Sequence, residues 1–136
     1  MRNIFLISII CVLACGCSTP KLTNSIWCTI DPLQNGDEVG LGITSLYLYE
    51  NGNIDIYKSI MADSNLVVAP YLFAKGEYKI DGNLKKEAGI TVKATNLKNQ
   101  SFDWSGLIDL KKKSILIFEP ENKANIYVQY SDLVIE

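Results

Sequence analysis

The side chains that most enzymes use for chemistry near neutral pH are missing from this chain. It contains no histidine, and its single arginine is Arg2. Without an imidazole there is no side chain whose ordinary pKa suits a general base at pH 7. There is also no histidine ligand for zinc or copper. Serine-histidine-acid and cysteine-histidine constellations are therefore excluded. Carboxylates, thiols and aromatic rings remain. Carboxylates pair in sequence as Asp37 with Glu38, Asp103 with Asp109, and Glu119 with Glu121. Glycoside hydrolysis needs two carboxyls at a set separation across a sugar cleft. These pairs fall in loops or on the outward face of a strand, so they read as solvated charge. The oxygens of Gln34-Asn35-Gly36-Asp37-Glu38 lack the alternating acidic spacing of a Ca²⁺ loop. The expectation is a non-catalytic protein with no cofactor and no metal.

The thiols give an address instead. Behind Met1-Arg2-Asn3, residues 4–13 form an apolar run broken only by Ser8 and Cys11, and Ala14-Cys15-Gly16-Cys17 follows. The run is too short to span a bilayer, which takes about 20 residues. It fits the apolar region of a secretory signal peptide. A cysteine closing such a run resembles a bacterial lipobox, in which a diacylglycerol is attached to the thiol and the chain is cut just before it. Gly16 at the cut selects Cys17 as the lipidated residue. Cys15 is the alternative, with the bulky Leu13 in its triplet. The resulting division is a lipoprotein signal peptide over 1–16, a lipidated tether over 17–23 and one β-barrel domain over 24–136. Partner and place follow: a membrane reached through an N-terminal lipid (palmitate or a similar acyl chain), in the bacterial cell envelope. Cys28 is then left without a partner for a disulfide. Next to Trp27 it reads as a small buried hydrophobe.

Charge agrees with that address. Once Arg2 has left with the signal, 12 lysines face 15 acids. No basic stripe runs beyond Lys111-Lys112-Lys113, which reads as a solvated loop tip, so nucleic acid is not an expected partner.

The elements that would position any site are strands. Residues 46–56, Leu-Tyr-Leu-Tyr-Glu-Asn-Gly-Asn-Ile-Asp-Ile, write a hairpin. A three-residue loop, Glu50-Asn51-Gly52, puts Gly52 where a left-handed residue is required. It sets Leu48 opposite Ile54, Leu46 opposite Ile56 and Tyr47 opposite Asp55, giving one aliphatic and one polar-aromatic face. The same grammar continues through the chain. A first strand over 24–31 carries Ile26, Cys28 and Ile30 on one face. Strands over 40–49 and 53–62 make the hairpin. A long strand, or two, covers 66–80, where Pro70 demands an edge or a bend and Gly76 permits coiling. Further strands cover 90–97, 102–110, 115–118 and 125–134. With Lys111-Lys112-Lys113 as the loop, Ile108 would face Leu116 and Gly106 would face Phe118. No segment keeps a helical period over three turns. Eight short strands with frequent turn signals predict an all-β fold: an antiparallel meander closing into an up-and-down barrel, with a β-sandwich as the alternative.

The order of signals resembles the small lipocalin-like lipoproteins of bacteria. The resemblance is carried by Trp27 in the first strand, the Glu50-Asn51-Gly52 turn, Gly76-Glu77-Tyr78-Lys79-Ile80-Asp81-Gly82-Asn83, and the segment from Phe102 to Gly106. It departs from the family at Ser25, where glycine is usual, and no arginine is available to stack over Trp27. That end of the barrel must be closed differently. The resemblance implies a binding barrel without catalytic residues. Trp104, Gly106 and Phe118 are the candidate lining of an interior site for an apolar or amphipathic small molecule. The alternative is an interaction or inhibitor module that grips another envelope protein through its loops or a tyrosine-rich outer face (Tyr47, Tyr49, Tyr57).

Overall fold

The computed structural model describes residues 22, 24–35, 38–63 and 65–130. Residues 1–16, which read as a signal peptide, and both candidate lipidation cysteines, Cys15 and Cys17, lie outside the described residues. Eight strands follow one another: β1 Ser25–Asn35, β2 Glu38–Leu48, β3 Asn53–Ala62, β4 Asn65–Asn83, β5 Glu87–Asn96, β6 Ser101–Asp109, β7 Ser114–Glu119 and β8 Lys123–Gln129. Each pairs antiparallel with the next, and β8 returns to β1 to close an up-and-down barrel. The seam between β8 and β1 is short, with Trp27 opposite Gln129 and Cys28 opposite Val128.

Alternation drives the closure. Along β5, Ala88, Ile90, Val92 and Ala94 are buried, while Glu87, Thr91, Lys93 and Thr95 are exposed. A strand patterned this way buries one face and solvates the other. The inward faces meet in one packed core that includes Trp27, Leu46, Leu48, Ile54, Ile56, Ile90, Val92, Ile108, Ile115, Ile117 and Tyr127.

The β2–β3 hairpin forms in the expected register, with Leu48 opposite Ile54, Leu46 opposite Ile56 and Tyr47 opposite Asp55. Gly52 takes φ +87°. The loop is tied off by Tyr49 N–H to Asn53 O at 2.9 Å and Gly52 N–H to Tyr49 O at 3.1 Å. The Tyr78 hydroxyl donates to Tyr49 O at 2.6 Å and straps the hairpin to β4.

Two expectations are corrected, and a third, which left two alternatives open, is decided. The first concerns β1. Ile26, Cys28 and Ile30 do share a face, but that face is outward, and Ile30 is 59% exposed. Trp27 faces the core instead. Cys28 is only half-buried; its thiol lies 3.3 Å from the Ser45 hydroxyl, and burial pushes its pKa up against that hydrogen bond. This environment disfavours the thiolate. The second concerns the β6–β7 turn. Asp109 pairs with Ser114, so the loop is the four residues Leu110-Lys111-Lys112-Lys113. Asp109 Oδ1 accepts Lys112 N–H at 3.2 Å, and Lys113, at φ +50°, donates its N–H to Leu110 O at 3.2 Å. The extra loop residue shifts β7 by one position, and a one-residue slip exchanges its faces. Gly106 therefore pairs with Ile117, and Ile108 with Ile115. Phe118 points outward and is 46% exposed. The third concerns β4, which is one long strand. Its register against β3 shifts three times between Ile56 and Met61, each shift leaving an extra residue on β4. Pro70 lies within one of these bulges. It also lies on an edge, because β4 pairs with β5 only from Ala74 onward. Proline and bulges both discourage a further strand from adding there.

Candidate functional site

The two ends of the barrel differ. At the end where the chain enters, Leu22 is 3% exposed and packs into the core. The Ser25 hydroxyl donates to Leu22 O, and Trp27 Nε1 donates to Ser25 Oγ at 2.7 Å. Ser25, the residue that departs from the family pattern, thus holds Leu22 and Trp27 together, and no arginine is needed for that closure.

The opposite end carries the β5–β6 turn and the unpaired run of β4. The turn is built on Asn96, whose Oδ1 accepts Lys98 N–H at 2.9 Å and Gln100 N–H at 3.0 Å, a local side-chain turn typical of asparagine. Beside it β4 continues past the end of β5. The notch between them is a cavity of about 370 Å³ lined by Tyr71, Leu72, Phe73, Asn96, Leu97, Lys98 and Gln100. Its volume falls within the range of small-molecule sites.

Aromatic rings lead from this notch into the barrel. Phe73 stacks with Phe102 at 6.4 Å between centroids, and Phe102 lies 4.6 Å from Trp104. Phe73 and Phe102 are half-buried, whereas Trp104 is 8% exposed. Lys58 shares the face of Ile54 and Ile56 on β3, and its Nζ sits 4.2 Å over the Phe73 ring. A cation over a ring face is held by the ring quadrupole. The result is a half-dry aromatic surface with a positive charge at its outer edge. It suits an apolar body that ends in an anionic head.

Of the three residues expected to line an interior site, only Trp104 belongs to this arrangement. Gly106 faces inward, but a Cβ there would lie 2.2 Å from the Leu116 carbonyl oxygen, so β7 backbone takes the space. Phe118 is outside the barrel. Sequence reasoning missed Lys58 and Phe73. Lys58 carried a readable signal, a charge on an otherwise aliphatic face. Phe73 did not, because it projects from one of the three β4 register shifts.

Of the paired carboxylates, Asp37 and the side chains of Glu38 and Glu121 lie outside the described residues. Asp103 lies opposite Lys93 across β5 and β6, and Asp109 caps the lysine loop. A second, open groove of about 770 Å³ flanks the β2–β3 hairpin, where Asn24, Tyr49, Glu50, Asp55, Lys75 and Glu77 are among the lining groups. Within it the exposed Lys75 and the half-buried Asp55 stand 4.0 Å apart. Among the described residues no three histidine, cysteine or acidic side chains gather to hold a metal ion. No family model matches the chain, and neither a curated protein nor a solved structure matches it.

Proposed function

We propose that this chain is a lipid-anchored, non-catalytic barrel of the bacterial cell envelope that holds an amphipathic, anionic small molecule at the open end of the barrel. The observation that carries the reading is the Phe73–Phe102–Trp104 series with Lys58 at its edge, beside a 370 Å³ notch. The ligand lies across the mouth, above a core that side chains fill. The anchor is Cys17, with Cys15 as the alternative, and the kinship is with the lipocalin-like lipoproteins. The experiment is titration with an environment-sensitive fatty-acid probe, with tryptophan emission as the protein-side signal. Saturable binding is expected. Lys58→Gln should weaken an anionic probe about tenfold, in line with loss of one charge-assisted contact. It should leave a neutral alcohol of the same chain length unaffected. Phe102→Ala should weaken both. No saturable signal, or one indifferent to both substitutions, overturns the reading.

A second reading, an interaction module, is favoured by a different observation. On the outer surface Leu107, Leu116 and Ile126 stand in register across β6, β7 and β8, and Leu107 and Ile126 are exposed. Contiguous exposed apolar surface of this kind marks contact sites on soluble proteins. The tyrosine-rich face is also present, with Tyr47 and Tyr57 rings 4.8 Å apart. Loss of function in Ile126→Glu with probe binding intact would select this reading over the first.

A further inference from the structure

We propose that the barrel stands with its entry end, the end bearing Lys85, Lys86, Lys111 and Lys112, against an anionic lipid surface. This rests on the anchoring part of the reading above and adds an orientation and a lipid chemistry to it. Pairing along β5 and β6 runs to Ala88 opposite Ile108, and the same register carried outward sets Lys86 beside Leu110 and Lys85 beside Lys111. Two hairpin tips thus lie side by side, and all of their lysines are exposed. The chain enters at the same place. Trp27 pairs with Gln129, whose N–H donates to Lys113 O at 3.1 Å, so the start of β1 adjoins the lysine loop.

The charges are polarised along the barrel. The turns at this end carry Lys85, Lys86, Lys111, Lys112 and Lys113 with the acid Glu50, while Glu77, Asp81, Glu87 and Asp109 stand behind them in the strands, Asp109 turned back onto the Lys112 amide. At the far end Asp31, Asp63 and Glu119 are matched by Lys58, Lys98 and Lys123, and Lys123 Nζ lies 3.8 Å from Asp31 Oδ2. An anionic surface therefore attracts the turns of the first end more strongly than those of the second. Attraction of this kind grows with each lysine near the surface and fades beyond about 10 Å. With Leu22 packed into the core, an acyl chain on Cys17 would leave only residues 17–21 between lipid and barrel, a reach of no more than about 18 Å at ~3.5 Å per residue. The Lys58–Phe73 mouth would then face away from the membrane, open to the aqueous side.

The test uses the acylated protein reconstituted into vesicles, with an amine-reactive reagent and mass spectrometry to read each lysine. In phosphatidylglycerol-containing vesicles, labelling of Lys85, Lys86, Lys111 and Lys112 should slow about fivefold relative to pure phosphatidylcholine, and about 0.5 M salt should remove the difference. Lys98 and Lys123 should label equally in both. Lys85→Glu with Lys112→Glu should abolish the protection of the remaining two, with the circular dichroism spectrum unchanged. Equal labelling of both ends on a chain that is still vesicle-bound overturns the orientation and leaves the anchor standing. Protection that persists in phosphatidylcholine means that something other than anionic headgroups covers these lysines, and also overturns it. A chain isolated from cells with neither Cys17 nor Cys15 acylated overturns anchor and orientation together.

Discussion

Gly106→Ala is expected to destabilise the barrel by about 3 kcal/mol or more, read as a large drop in the denaturant midpoint. The added methyl would lie 2.2 Å from the Leu116 carbonyl oxygen and 3.1 Å from Ile117 Cδ1. The first obstacle is backbone, so no rotamer change relieves it, and β7 itself must move. Gly76 faces the same problem from β5, with the Lys93 carbonyl oxygen 1.9 Å from its missing Cβ. Gly89 supplies the control. A methyl there would find its nearest neighbour, Asp81 O, at 3.6 Å, an ordinary contact. Gly89→Ala should therefore change stability by no more than about 0.5 kcal/mol. The comparison also bears on what the interior is for. Were the space at Gly106 reserved for a ligand, alanine would be tolerated in folding and felt only in binding. Close approach of β7 predicts the reverse, destabilisation whether or not a ligand is present.

The parts of the fold that were legible in sequence are those where a turn residue and a face pattern agree. Glu50-Asn51-Gly52 fixes a three-residue loop, and that loop aligns four aliphatic side chains on one face, so no competing register survives. The β6–β7 hairpin lacks both aids. Its loop is three identical lysines after Leu110, with no glycine to mark the left-handed position, which Lys113 takes instead. Its second strand, Ile115-Leu116-Ile117-Phe118, is apolar at every position, so a period of two cannot be read from it. Without that information Phe118 reads as an inward residue. The same ambiguity affects β1. Ile26, Cys28 and Ile30 outnumber the one large apolar residue opposite them, yet Trp27 buries more surface than any of the three and decides the face. At the candidate site, Lys58 was readable because β3 keeps its alternation. Phe73 was hidden because each β4 bulge inverts the parity on which face assignments depend.

Tyr127→Phe is expected to stabilise the protein at neutral pH by about 1–2 kcal/mol, the scale of an unsatisfied buried hydroxyl. Tyr127 is fully buried. Its hydroxyl has no hydrogen-bond partner among the described residues. Replacement by phenylalanine keeps the ring and its packing and deletes only the stranded group, so the thermal midpoint should rise by several degrees. The same environment sets a pH dependence. Burial pushes the Tyr127 phenol well above its ordinary value near 10, and the charges of Glu119, Asp31 and Cys28 push in the same direction. The folded state therefore holds this proton more tightly than the unfolded state. Its contribution is fully present below about pH 10 and is lost progressively as pH rises from there through the raised pKa of the folded protein. Tyr127→Phe should accordingly flatten the alkaline fall in stability. Some of that fall should remain, because burial also raises Tyr47, Tyr49 and Tyr78. Denaturant midpoints of both proteins from pH 7 to about pH 11 check the two statements separately. A lower midpoint for the variant at pH 7 would mean that the hydroxyl is hydrogen-bonded in solution. An alkaline limb identical in both proteins would mean that Tyr127 does not contribute to it.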